Sequence, residues 1–109
     1  MKEKDIQRQI TDYLILQKIF FYRNNTGGFS REDGHFYRFG VVGSPDLVLV
    51  IKGKYIGVEV KTKIGRQSPA QLVFQKALEA SGGIYLLVRS LDELIEKLKL
   101  QAFNLRWKH

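Results

Sequence analysis

Three charged residues interrupt two apolar runs near the middle of the chain. Asp46 precedes "LVLVI", and Glu59 and Lys61 stand at the end of "YIGVEVK". Ionisable groups in segments typical of buried strands cost stability, which favours a functional interpretation. Two neighbouring carboxylates suit a hard divalent cation such as Mg²⁺ or Mn²⁺, and a nearby lysine can reach a ligand of that cation. The alternative is a surface cross-strand pair in which Lys61 simply neutralises Glu59.

The relative positions of these charges depend on a predicted hairpin with strands at about 46–51 and 55–62. Side chains alternate between the two faces of a strand. A two-residue turn at Lys52-Gly53 therefore places Asp46 opposite Glu59, with Lys61 further along the same face, whereas a three-residue loop would break this register. Carboxylates directly opposite each other repel, and a cation offsets that repulsion. The other face is aliphatic throughout: Leu47, Leu49, Ile51, Ile56, Val58 and Val60.

The rest of the chain predicts helices and strands that can support this hairpin. A strand–helix–strand step after the hairpin indicates a mixed β-sheet flanked by helices, an α/β (α+β) fold. The tail 101–109 is not assigned. The predicted elements are an amphipathic helix over 3–20, a strand over 20–23, a long loop or loose hairpin over 24–40, a helix starting after the N-cap Ser68 and ending at Gly82-Gly83, a strand over 84–88, and a last helix over 91–100 with a capping box formed by Ser90 and Glu93.

Composition narrows the class of protein. A chain of 109 residues with 44% hydrophobic content predicts one globular domain, residues 1–109. The absence of cysteine excludes disulfides and thiolate metal sites. Without a signal peptide or a long apolar run, we expect a cytoplasmic protein and no membrane partner. The net charge of +7 favours nucleic acid as partner, although a merely well-solvated basic protein is an equal alternative on charge alone.

Four segments of the sequence, in order, resemble the VRR-NUC (virus-type replication-repair nuclease) family of the PD-(D/E)XK nuclease superfamily. They are "ExxIQxxI" at 3–10, "GSPDLVLV" at 43–50, "EVKTKIGRQSPAQ" at 59–71 and "GGIYLLVRS" at 82–90. The resemblance implies a restriction-endonuclease-like core, as one VRR-NUC-type domain. It also implies hydrolysis of DNA phosphodiester bonds that depends on Mg²⁺ or Mn²⁺.

The resemblance assigns roles to individual positions. Asp46 and Glu59 correspond to metal ligands, together with the main-chain carbonyl of Val60 and with Glu3 of the first helix. Lys61 corresponds to the residue that positions or activates the attacking water. The further positions are Gln71, matched to the catalytic glutamine of the following helix, Gln75 one turn later, and Ser44 of the "SPD" motif. Two of these positions have plain structural alternatives, Glu3 as a helix-start acid and Gln71 as part of a capping box with Ser68.

Several basic and aromatic residues are candidates for contacts with DNA. Arg23 and Asn24 stand where the family often carries Arg followed by Asn, and Lys63 and Arg66 follow the motif on a loop suited to phosphates. His35 and His109 receive no role, and Trp107 fits a dimer contact or DNA equally. In the long loop, Arg31 and Arg38 can reach phosphates, and the aromatic residues can stack on unpaired bases or, more simply, pack the loop: Phe29, Phe36, Tyr37 and Phe39.

The function that the sequence predicts is a metal-dependent DNA endonuclease, selective for branched DNA such as Holliday junctions and acting in DNA repair. Two symmetric cuts require paired sites, so we expect a homodimer. The resemblance implies a bacterial or phage-encoded protein. The alternatives are a sequence-specific restriction-type endonuclease, a non-catalytic DNA-binding module of the same fold, and a basic protein-interaction domain.

Overall fold

The computed structural model describes residues 1–24, 27–101 and 103, with side chains at 27–29 and 37–39 left out of the description. Among these residues no helix is both long and apolar enough to cross a membrane. The helices and strands are α1 (Glu3–Leu16), β1 (Phe20–Arg23), β2 (Gly27–Ser30), β3 (Phe36–Phe39), β4 (Leu47–Ile51), β5 (Lys54–Val60), α2 (Pro69–Ala80), β6 (Ile84–Val88) and α3 (Leu91–Leu100).

Four of the strands form one mixed sheet in the order β1-β4-β5-β6. The pairs β1–β4 and β4–β5 are antiparallel, and β5–β6 is parallel. A parallel pair needs a long crossover, which here contains α2. The mixed sheet with helices that the sequence predicts is therefore confirmed, and the long loop is in part a separate hairpin of β2 and β3.

The central hairpin has the register predicted from its turn. Lys52 and Gly53 form the turn with φ of 50° and 78°, so both residues adopt the left-handed conformation of a type I′ turn. The pairing runs from Ile51 opposite Lys54 to Leu47 opposite Val58. Both strands are shorter than predicted, and Asp46 and Lys61 lie just outside them.

The aliphatic face of the sheet is the core. Helices α1 and α3 pack together and against this face, while α2 lies near β6 and has no buried residue. Phe103, from the tail that the sequence left unassigned, is also buried here. The fully buried side chains of this core include Ile10, Leu14, Leu47, Leu49, Ile56, Val58, Val60, Leu94 and Leu98.

Two predictions at helix ends are wrong, and hydrogen bonds explain both. Helix α1 ends at Leu16 rather than at residue 20, because Lys18 turns left-handed with φ 56° and the Ile19 amide donates to the Leu14 carbonyl. Only half of the predicted capping box of α3 forms. The Ser90 hydroxyl accepts from the Glu93 amide, but the Glu93 carboxylate accepts from the Arg89 amide instead of from Ser90.

The loop that leads into Asp46 packs tightly on the start of α2 at Gly43. This glycine has φ +81°, and a Cβ there would lie 2.3 Å from the Ala70 carbonyl oxygen. Gly82 has a similar φ of +88° but open space around it. An alanine would meet the same backbone strain at both positions, but only at position 43 would its Cβ also clash with a neighbouring atom.

We expect Gly43→Ala to lower the free energy of unfolding by about 3 kcal/mol or more, because conformational strain and overpacking act together. Gly82→Ala should cost only about 1 kcal/mol, from the left-handed conformation alone. Urea unfolding monitored by circular dichroism measures both values. Equal losses in the two variants would show that the close approach of Gly43 to α2 does not constrain the loop.

Candidate active site

Asp46 is fixed on both sides by the neighbouring strands. Its side-chain Oδ2 accepts a hydrogen bond from the main-chain amide of Val60 at 2.8 Å, and its main-chain carbonyl accepts one from the main-chain amide of Asn24 at 2.9 Å. The Asp46 carboxylate thus adds one hydrogen bond to β5 beyond the last paired residues of β4 and β5. Val60 thus contributes its N–H to the position of Asp46, and the role of its carbonyl as a metal ligand stays a prediction.

Glu59 is a buried acid with only one of its two oxygens satisfied. Its side chain is 2% exposed, and Oε2 accepts from the Gln71 amide at 3.0 Å and lies 3.4 Å from the Lys61 ammonium. Oε1 is buried and has no hydrogen-bond partner among the described residues. An unpartnered carboxylate oxygen inside a protein costs free energy, which a ligand binding there would recover.

The electrostatic environment favours a proton on Glu59 when no cation is present. Burial raises its pKa to about 7, the nearby Asp46 carboxylate adds to the increase, and Lys61 opposes it. The site therefore keeps two acids close together that cannot both carry their charge without cost.

A third acid completes a cluster. Glu3 of α1, Asp46 and Glu59 each offer a carboxylate oxygen, and these oxygens lie within 4.8 Å of one another. Glu3 and Asp46 are half-buried, and Glu59 is buried. An all-oxygen set with one unsatisfied buried atom fits Mg²⁺ or Mn²⁺. On sequence alone a helix-start acid was the plainer interpretation of Glu3, and the packing of α1 brings it to the other acids.

Gln71 forms the predicted capping box and also contacts Glu59, while its catalytic role stays a prediction. Its Oε1 accepts from the Ser68 amide at 2.8 Å in a complete capping box, while its Nε2 donates to Glu59. The oxygen of the Gln71 side-chain amide thus caps the start of α2, and its nitrogen binds the buried carboxylate of Glu59. Gln75 instead accepts from the Gln67 amide at 2.9 Å and makes no recorded hydrogen bond to the acids within the described chain.

Asn24 and Ser44 hold the loop before Asp46 against β1. The side-chain amide of Asn24 donates to the Ser44 hydroxyl at 2.7 Å and to the Pro45 carbonyl at 2.9 Å. The Ser44 hydroxyl donates in turn to the Val41 carbonyl at 2.6 Å. In this state the amide of Asn24 is used within the protein, and its predicted contact with DNA stays a prediction.

The predicted DNA-contacting cations have exposed side chains. Arg23 is exposed and donates to the Gln7 side chain at 3.2 Å, and Lys63 and Arg66 are exposed on the loop after β5. That loop is held by Arg89, a residue that the sequence analysis missed. Its guanidinium donates to the carbonyls of Thr62 and Gly65, each at 2.6 Å.

Tyr85 and Gln67 form a second group that the sequence analysis missed. Tyr85 pairs with Gly57 in the parallel ladder, so strand alternation places it on the same face as Glu59. Its hydroxyl is buried near the Gln67 side chain without a hydrogen bond of normal geometry, and burial raises its pKa to about 12. The same alternation rule that grouped the acids predicts this position.

The remaining candidates lie away from the acids or outside the description. His35 pairs with Asp33 at 3.2 Å on the β2–β3 hairpin, where Arg31 and Phe36 also lie. The residues whose side chains or positions fall outside the described part are Phe29, Tyr37, Arg38, Phe39, Trp107 and His109.

We expect Glu59→Gln to stabilise the metal-free protein in a pH-dependent way. Because the pKa of Glu59 is raised to about 7 in the folded state, the wild-type protein loses stability as pH rises from about 4.5 to 7. A glutamine has no charge to bury, so the variant should be more stable by about 3 kcal/mol at pH 8 and nearly equal at pH 4.5. Urea unfolding in EDTA at both pH values measures this difference.

Glu79→Gln serves as the matched control, because Glu79 is exposed on α2. It should change the free energy of unfolding little at either pH. If Glu59→Gln behaves like this control at pH 8, the burial of Glu59 does not impose an electrostatic cost.

Comparison with known proteins identifies the fold. No protein-family model matches the sequence, and no curated protein matches it. A solved structure described as a "VRR_NUC domain" matches with a TM-score of 0.64 and 20% sequence identity, over 93% of this chain and 97% of that chain. The similarity extends over most of both chains, and it supports the resemblance seen in the sequence motifs. The chain therefore has the fold of a VRR_NUC domain, with a PD-(D/E)XK-like core.

Proposed function

We propose that this protein is a divalent-metal-dependent DNA endonuclease. The observation that carries the proposal is the cluster of Glu3, Asp46 and Glu59, in which one buried oxygen has no partner among the described residues and Lys61 stands beside Glu59. The fold of a VRR_NUC domain supports the same conclusion. A non-catalytic DNA-binding module has no use for a buried acid that remains half satisfied.

The side chains divide the work of phosphodiester hydrolysis. Glu3, Asp46 and Glu59 would hold Mg²⁺ or Mn²⁺, which when bound lowers the pKa of a water molecule and neutralises phosphate charge. The Lys61 ammonium, 3.4 Å from Glu59, positions the attacking water and stabilises the charge that develops on the phosphate. Gln71 fixes the orientation of Glu59, and the Val60 amide fixes that of Asp46.

We propose DNA as the substrate because the protein has a net positive charge and exposes several basic side chains. The net charge of +7 attracts a polyanion, and the side chains of Arg23, Lys63 and Arg66 are exposed. Asn24 then acts by fixing the loop of Asp46 rather than as the main phosphate contact. Arg89 uses its charge to fix the loop that carries Lys63.

Within this function we propose branched DNA such as Holliday junctions as the preferred substrate, cut by a homodimer in DNA repair. The sheet face that carries the acids supports pairing of two copies, because on β1 and β4 it exposes the large apolar side chains Phe20, Tyr22 and Val50. Most of the described residues form the four-stranded sheet and its three helices, which leaves little room for a segment dedicated to reading one duplex sequence and disfavours the restriction-type alternative.

Asp46→Asn and Lys61→Ala should each lower the rate of DNA cleavage in Mg²⁺ or Mn²⁺ by at least about 100-fold, because each removes charge stabilisation at the reacting phosphate. Nicking of a supercoiled plasmid measures the rate. Asp46→Asn should also abolish the heat of Mn²⁺ binding in calorimetry, whereas Lys61→Ala should keep it.

Lys54→Ala is the matched control for Lys61→Ala, since it removes an exposed lysine from the same hairpin. It should retain cleavage within about twofold. Cleavage by Asp46→Asn at the wild-type rate would refute the assignment of the site, and Mn²⁺ binding without cleavage of any DNA would favour the binding module.

A panel of end-labelled DNA structures tests the substrate. We expect paired, symmetric nicks on a four-way junction and at least about tenfold slower cutting of a linear duplex with the same sequence, since two sites of a dimer act together. Preferential cutting of one short duplex sequence would support the restriction-type alternative instead. Sedimentation equilibrium of the free protein reports whether two copies associate.

A further inference from the structure

The chain makes a tight turn just after β5, and an isoleucine stands at the tip of this turn. The turn consists of residues 62–65, and a hydrogen bond of 3.1 Å from the Gly65 amide to the Thr62 carbonyl closes it. Ile64 is 89% exposed, more than any other large apolar residue in the described part of the chain. The 62–65 turn thus presents an apolar side chain to water rather than to the core.

The chemistry of turns does not account for this isoleucine. Turns favour glycine, proline, asparagine, aspartate and serine, and the Lys52-Gly53 turn of the central hairpin uses a glycine in this way. A β-branched residue such as Ile64 brings neither a special backbone conformation nor a local hydrogen bond to a turn. Single exposed apolar residues are common on protein surfaces, so the surroundings of Ile64 must show whether it has a role.

The backbone that carries Ile64 is fixed by one side chain from the end of β6. The Arg89 guanidinium donates to the carbonyls of Thr62 and Gly65, each at 2.6 Å. A longer contact of 3.4 Å joins it to the carbonyl of Lys63. Because the turn is held at three carbonyls, the isoleucine is preorganised, and little conformational entropy is lost when it meets a binding partner.

The 62–65 turn directly follows Lys61, the lysine of the proposed active site. The main-chain amide of Lys61 donates to the Val88 carbonyl at 3.0 Å, so the start of the turn is anchored to β6 as well. Ile64 is three residues further along the chain, and the two Cα atoms are therefore at most about 11 Å apart. At a rise of about 3.4 Å per nucleotide, this distance corresponds to about three nucleotides of one DNA strand.

Basic residues stand on both sides of Ile64. Lys63 precedes it and Arg66 follows two positions later, and both side chains are exposed. No acidic residue occurs in the sequence between Glu59 and Glu79. The cations attract phosphates, whereas an isoleucine gains free energy only from apolar surface. In DNA the faces of the bases offer such a surface, and they become accessible where the stack opens.

We propose that Ile64 is an apolar wedge that enters the bound DNA near the cleaved phosphate and separates two stacked bases, so that branched DNA is preferred. Isoleucine is one of the side chains that insert between base steps in DNA-bending proteins, where the unstacking costs free energy. At a branch point the stack is already interrupted, so this cost is lower than within a continuous duplex. The inference rests on the proposed function in taking DNA as the substrate, but it does not require that the acids cleave it.

The first test measures the unstacking of bases. The fluorescent base 2-aminopurine, which brightens when it leaves the stack, is placed at the branch point of a four-way junction, and the protein is added in EDTA so that no DNA is cut. We expect the wild-type protein to raise the fluorescence. At saturation Ile64→Ala should give less than about half of that rise, whereas Ile64→Leu, which conserves the apolar volume, should give nearly all of it.

The second test separates the wedge from the phosphate contacts through affinity. Ile64→Ala should weaken junction binding about tenfold and duplex binding less than about twofold, because only the junction buries the isoleucine. The slope of log K against log salt should stay unchanged, whereas Lys63→Ala should weaken binding to both DNAs and lower that slope by about 1. Ile15→Ala is the matched control, since Ile15 is 64% exposed on α1, and it should bind and unstack DNA as the wild type does.

Several results would overturn the proposal. The wild-type protein could leave the fluorescence unchanged, or Ile64→Ala could raise it as much as the wild type does. Equal weakening of junction and duplex binding would also contradict a wedge, as would a loss of self-association in sedimentation with unchanged affinity per chain, which would assign Ile64 to a contact between two copies. Because Ile64 is exposed, we expect its variants to fold normally, and a thermal melt and the heat of Mn²⁺ binding check this.

The two proposals fail separately. If the wild-type protein cleaves no DNA with any metal, the nuclease assignment fails, while the fluorescence and affinity measurements in EDTA still report on the wedge. If cleavage depends on Asp46 but Ile64→Ala unstacks and discriminates DNA as the wild type does, only the wedge inference fails.

Discussion

The buried carboxylate of Glu59 is the constraint on which the rest of the site depends. It lies beside a second acid, and one of its oxygens has no partner within the described structure. Lys61 and Gln71 compensate only the other oxygen. A half-satisfied buried acid lowers the stability of the protein, and the function proposed above accounts for it by a ligand that completes it. A hard cation does this directly, because it neutralises both carboxylates at once.

The core explains why these groups meet. The face of β4 and β5 opposite the acids is aliphatic and is covered by α1 and α3, so a slip of one residue would expose that whole face to water. The register is therefore fixed by burial as well as by the Lys52-Gly53 turn. With the register fixed, Asp46 and Glu59 have no freedom to separate, and the packing of Gly43 on α2 brings Gln71 to them.

Local patterns predicted most of the elements because their causes are local. The turn at Lys52-Gly53 and the capping box of Ser68 and Gln71 both form as the sequence indicated. The same patterns failed at the end of α1, where Lys18 adopts a left-handed conformation that glycine usually supplies. They failed again at Glu93, whose carboxylate accepts from Arg89 rather than from Ser90.

The sequence by itself determined the two strands of the central hairpin, their register and the face shared by Asp46 and Glu59, because alternation and turn geometry act between near neighbours in the chain. Only the tertiary structure decided that Glu3 joins these acids, that Arg89 holds the loop after β5, and that β2 and β3 form a sheet separate from the four-stranded one. Such contacts join segments far apart in the chain. Their geometry follows from how helices pack on the sheet, which no local pattern specifies.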